Sequence, residues 1–253
     1  MPRSRELLTR VAITAAIVVG LVWALGQGEN EYVFDRIWDY RGLFAKGVAL
    51  TLAATAAAYL IGLVAGVGVA LARISPLLWI RHIGDLYVEV IRGTPFIAQL
   101  SIAYFGIAPL LGIGNKFLVG AVALGMFAAA YIGEIFRAGI ESVDRGQIEA
   151  ARTLGMGRTQ TLRYVVFPQA FKRMIPPLTG ELIALTKESS LLFLIGIVEL
   201  MAVGRQVGVD TYDYLEAYIV VAGLYLCLTI PLSLLARRLE RRLGSGRGLE
   251  SHL

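Results

Sequence analysis

Residues 47–71 read GVALTLAATAAAYLIGLVAGVGVAL, a run without a single charge. A helix rises about 1.5 Å per residue, so the run is long enough to cross the ~30 Å hydrocarbon core of a bilayer with some tilt. Helix is the open structure that satisfies its own backbone in lipid, which makes this segment a predicted transmembrane helix. Gly62 and Gly66 inside it have the GxxxG spacing that suits close helix approach, although a glycine-rich run also yields that spacing by chance.

Five more apolar runs lie at about 11–26, 86–111, 117–135, 175–201 and 215–235. The whole chain agrees with them. Its 253 residues are 57% hydrophobic and 17% charged, with a mean hydropathy of +0.67, whereas soluble domains carry about 25% charged residues. The predicted fold class is an all-α polytopic membrane protein with about six transmembrane helices. The run at 11–26 has a basic start and small residues at Ala24 and Gly26, which also fit a signal peptide; an uncleaved helix is the reading adopted.

Several chemistries are excluded early. Cys227 is the only cysteine, so an intrachain disulfide or a cysteine metal cluster is impossible. His82 and His252 are too far apart for an HExxH helix, and no GxxxxGK[ST] occurs. No catalytic residue, metal ligand or cofactor is expected in this chain.

Lysine and arginine placement gives orientation. With the N-terminus inside, the inner segments hold 17 basic residues and the outer ones 5, the bias expected of cytoplasmic loops. Both termini and the polar stretch at about 137–174 are therefore predicted to be cytoplasmic. The expected organisation is an N-terminal helix and outer loop (1–42), a transmembrane domain (43–240) and a cytoplasmic tail (241–253).

That polar stretch contains ESVDRGQIEAARTLGMGRTQTLRYVVFPQA, residues 141–170. Gln147 to Leu154 are good helix formers, and Gly155 tolerates the left-handed conformation that ends a helix. A second helix is predicted from near Thr159, through Leu162, Val165 and Val166, stopping before Pro168. On pattern alone such a hairpin is either a simple connector or a surface for a partner.

The intervals from Glu149-Ala150-Ala151 to Gly155, and on to Val165, Phe167 and Pro168, resemble the EAA loop of ABC importer permeases, EAA-x3-G-x9-I-x-L-P. Every interval matches; Val165 and Phe167 are apolar replacements. With VEVIRGTPFIAQL and RYVVFPQAFKRMIPPLT, the chain resembles the polar amino acid branch of these permeases, the histidine, arginine and glutamine type, over about residues 45–240. The helix at 11–26 is then an addition to the usual five.

The resemblance implies that the loop docks in a groove of an ATPase, with Glu149 as charged anchor, Ala150 and Ala151 allowing close approach, and Gly155 making the turn. Arg152 would add contacts to the partner or to lipid headgroups. It further implies an ATPase dimer carrying ATP and Mg, a second permease subunit, identical or a sister, and an extracytoplasmic binding protein that delivers an amino acid. The implied site is the bacterial inner membrane; no nucleic acid partner is expected.

Ionisable residues at membrane depth cost at least about 2.5–3.5 kcal/mol each and are functional candidates. Glu89 and Arg92 precede Gly93, Thr94 and Pro95, where a helix break is expected, with either a quiet Glu89–Arg92 pair or a solute site as the outcome. Gln99 is a further pathway candidate. Glu181 and Glu188 share a helix face, with Lys187 and Ser189 beside Glu188 near the middle of the fifth span. Glu134 and Arg137 are expected to form a structural pair. An ion-coupled secondary transporter of small polar solutes is the alternative, since the same buried charges would serve it.

Overall fold

The computed structural model describes residues 34–244. The predicted helix at 11–26 and most of the tail lie outside them. Among the described residues the chain is helical: α1 Phe34–Trp38, α2 Arg41–Arg73, α3 Leu78–Gly93, α4 Phe96–Leu110, α5 Lys116–Glu141, α6 Arg145–Thr153, α7 Arg158–Ile195, α8 Leu200–Thr211 and α9 Tyr214–Gly244. Three of these, α2, α5 and α9, are each long and apolar enough to cross a membrane. Two of the predicted spans are instead bent pairs, α3 with α4 at 105° and α7 with α8 at 52°.

The first bend falls at Thr94-Pro95, where the sequence breaks the helix: Pro95 has no N–H to continue it, and Thr94 before it is extended. The second corrects the expectation of one span over 175–201. The helix tightens into a 3-10 stretch at Ser189–Ile195, Gly196 turns it with φ +78°, and Glu199 caps the new helix by accepting from the Met201 and Ala202 amides at 2.9 and 2.8 Å. Glu199 is fully buried; it also accepts from the Tyr225 hydroxyl at 2.9 Å, and the Thr51 hydroxyl accepts from the Leu200 amide. Lys187 and Glu188 thus lie where the α-helix ends rather than in mid-span.

The start of α7 is a second correction. The helix does not stop before Pro168 but passes through it. Residues Leu162–Val166 form a π turn, in which the Phe167 amide reaches back to the Leu162 carbonyl. A wider turn leaves room for a proline ring that would clash in an α turn.

α5 is the central post. More than half of its apolar stretch is buried against the rest of the chain, against about a quarter for α2 and a tenth for α9. Its seam with α2 is packed closely on glycines of both helices. A Cβ on Gly62 would stand 2.9 Å from the Ala128 Cβ, one on Gly125 2.9 Å from the Ala58 carbonyl, and one on Gly133 2.7 Å from Val69. The Gly62–Gly66 spacing is therefore a genuine packing device. Around it Ala54, Ala58, Leu124, Ala128 and Ile132 meet Leu100 of α4 and Leu185 and Leu192 of α7.

A second cluster joins Ile37 of α1 and Phe44 of α2 to α8 and α9. The segment expected as an open outer loop is thus partly folded down, with Arg36 3.7 Å from Asp213.

Candidate functional site

The polar stretch folds on a third apolar cluster, Val143, Val166, Ala170 and Met174, with Ile148 of α6 against it. Asp144 caps α6 by accepting from the Gly146 amide at 2.7 Å. The far end closes with two bonds, Met156 amide to Ala151 carbonyl and Gly155 amide to Arg152 carbonyl. Together they are a Schellman closure, and Gly155 occupies its left-handed position at φ +82°. The hairpin is tied to α7 through Gln169, whose amide donates to the Gln147 side chain at 2.5 Å. Arg173 donates to the Ser142 carbonyl.

This geometry sorts the motif residues. Glu149, Ala150 and Arg152 are exposed, whereas Ala151 is 5% exposed. Ile148 and Ala151, three apart, form the inner face, and Glu149 and Arg152 share the outer one. Ala151 therefore departs from its expected role: the close approach it permits is to its own chain. Leu154 is 83% exposed at the tip, a large apolar side chain beside the turn that sequence reasoning passed over. Its signal was its place directly before Gly155, at a helix end that has no core to face.

At the other candidate site the α3–α4 break meets α2, α5 and α7. The Gln99 amide, from the first turn of α4, donates to the Ile91 carbonyl at 2.7 Å and the Thr94 hydroxyl at 2.8 Å, and Thr94 donates to the Val90 carbonyl. Thr94 and Gln99 thus satisfy two of the carbonyls, Val90 and Ile91, that the end of α3 leaves without an intrahelical partner at the 105° break. The Arg92 guanidinium sits 5.2 Å over the Tyr131 ring of α5. Arg92 and Glu188 are the charged neighbours of half-buried Glu181 on α7, and Tyr59 of α2 is near it, donating to the Leu178 carbonyl at 3.0 Å.

The remaining candidates fall outside this convergence. Glu89 is exposed, and among the described residues it makes no ion pair with Arg92. Lys187 is exposed. Ser189 is fully buried, its hydroxyl donated to the Thr186 carbonyl at 2.7 Å, so it is spent within its own helix. Glu134 and Arg137 do pair, at 2.5 Å.

Residues 58–245 match the model of the family described as binding-protein-dependent transport system inner membrane component. The chain belongs to that family. It is 41% identical over 204 residues to the arginine transport system permease protein ArtQ of Bacillus subtilis, covering 79% of this chain and 92% of that one. It is 38% identical to the probable glutamine ABC transporter permease protein GlnM of the same organism, over 82% and 96% of the two chains. Among solved structures, the crystal structure of an amino acid ABC transporter with histidines superposes with a TM-score of 0.79 at 38% identity, over 84% of this chain and all of that one. The MetNI methionine ABC transporter in inward-facing form matches at TM-score 0.70 and 24% identity, which supports the fold alone. The chain is therefore a helical membrane component of a transport system, and the separate secondary-carrier reading gives way.

Proposed function

We propose that this chain is the permease subunit of an ATP-driven importer of polar amino acids in a bacterial inner membrane, coupled to an ATPase through α6. The observation that carries the reading is the outer face of α6: Glu149, Ala150, Arg152 and Leu154 project from a short helix that is capped at both ends and seated on this chain's own core. A rigid, exposed hairpin suits transmission of force better than a connector does. The basic bias of 17 to 5 supports a position for it on the cytoplasmic side, where ATP is found.

Partners under this reading are an ATPase dimer holding ATP and Mg, a second permease subunit, and an extracytoplasmic binding protein. The solute would pass Arg92, Glu181 and Glu188. One guanidinium and two carboxylates complement the carboxylate and ammonium of an amino acid, and the broken helix at Thr94 leaves backbone dipoles at the same level. Glu89, Lys187 and Ser189 are given no part in binding.

Proteoliposomes containing the permease, its ATPase and its binding protein test the reading. Glu149→Lys and Gly155→Asp are expected to abolish amino acid uptake while the permease still inserts. Normal uptake in both would sink the coupling role. Glu181→Gln is expected to lower apparent affinity for labelled amino acid, without releasing the ATPase. Uptake that survives ATP depletion but collapses with a protonophore would return the ion-coupled carrier.

A further inference from the structure

Five charged side chains form a chain of ion pairs across α2, α3 and α5. Arg73, the last residue of α2, donates through Nε to Asp85 of α3 at 2.7 Å and through its guanidinium to Glu134 of α5. Glu134 also accepts from Arg137 at 2.5 Å, and Arg137 reaches Glu141 in the last turn of α5. The Arg73 side chain is only 15% exposed. It reaches its partners over Gly84, where a Cβ would lie 2.8 Å from the Arg73 Cγ. Any other residue at 84 would push the guanidinium away.

The position of the network matters more than its strength. α3 has only two buried residues, Gly84 and Val88, so little apolar packing holds it to the bundle. Its specific ties are mostly polar: Arg73 to Asp85, Tyr87 donating to the Met126 carbonyl of α5, and, at its far end, Arg92 over the Tyr131 ring. α5 runs through Ser142 and Asp144 straight into α6, and α3 carries Arg92 in its last turn and ends at Gly93, at the Thr94 break. A displacement of α6 therefore moves the end of α5 that carries Glu134, Arg137 and Glu141. Arg73 links that end of α5 to Asp85 and so to the helix that bears Arg92.

We propose that Arg73 is the positioning residue that transmits movement of the α6 hairpin to the broken α3–α4 helix, through its simultaneous pairing with Glu134 and Asp85. The proposal rests on the reading of α6 as the ATPase-docking helix. Arg73, 15% exposed, is the most sheltered member, while Glu134 and Asp85 are 29% and 45% exposed. The joint therefore rests on geometry, a planar guanidinium whose fixed fork of donors holds two carboxylates on different helices at once.

The test uses the full complex in proteoliposomes, measuring ATPase co-purified with the permease, basal hydrolysis, and labelled amino acid accumulated per ATP. Arg73→Gln is expected to keep bound ATPase and basal hydrolysis near wild type while accumulation per ATP falls about tenfold, within the range of a coupling effect between sites. Asp85→Asn should uncouple in the same direction. Arg73→Lys should recover part of the loss, since an ammonium lacks the fork that spans two carboxylates. Unchanged accumulation per ATP in Arg73→Gln overturns the proposal. So does loss of ATPase, basal hydrolysis and uptake together with no recovery in Arg73→Lys, which would mark Arg73 as purely structural. Glu149→Lys separates the two readings: if it is inactive while Arg73→Gln is normal, docking stands and the joint fails; if Glu149→Lys transports normally, the docking reading falls.

Discussion

Gly155 shows how far one residue can be read. A residue with left-handed φ and nothing within 4 Å of its absent Cβ has space for a side chain but not the backbone freedom for one. Gly155→Ala is therefore expected to cost about 1–2 kcal/mol locally, reorienting the hairpin without unfolding the bundle; intact melting with reduced uptake is the predicted pair of readings. Glu199 is the opposite case. It lay unremarked within a predicted span, because the three donors it serves come from a bend and from α9, neither of which local pattern reveals. Glu199→Ala strands buried donors and is expected to destabilise by roughly 1–3 kcal/mol, seen as a lower melting temperature in detergent, with Tyr225→Phe costing less. Ala151 was likewise assigned by motif to a partner, whereas helix periodicity, had it been applied with Ile148, points it inward.

Among the elements, α2, α5 and α9 were legible because unbroken hydropathy needs no tertiary information. The break at Thr94 was legible too, since proline acts through its own ring. The passage of α7 through Pro168 was not, because a π turn ending two residues upstream, at Val166, decides it, and π turns carry no composition signal. The bend at Gly196 was hidden inside an apolar run for the same reason: hydropathy records burial from water and is blind to direction. The α2–α5 seam supplies the sharpest test at this scale. Gly125→Val and Gly133→Val would force side chains against the β-branched Ile61 and Val69 of α2 and the carbonyls behind them, and each is expected to destabilise by about 1–3 kcal/mol. Gly68→Val, on the open side of α2, is expected to leave melting unchanged.

For the whole molecule the sequence carried the helical membrane class, while the convergence of Tyr59, Arg92, Tyr131 and Glu181 required the fold that brings four helices together. Sidedness can be checked directly. In a Cys227→Ser background, Arg152→Cys is expected to react with a membrane-impermeant thiol reagent only from the cytoplasm, and Tyr212→Cys, 84% exposed as tyrosine, only from outside; the reverse pattern would invert the topology. The glycine seam also bears on biogenesis. Its two halves lie on helices separated by the whole bent α3–α4 pair, and neither can be screened from lipid by its own side chains. A nascent chain leaving the insertion machinery must therefore hold α2 in the bilayer with that groove filled by acyl chains until residue 133 has emerged, and the maturing subunit closes only when those lipids are expelled.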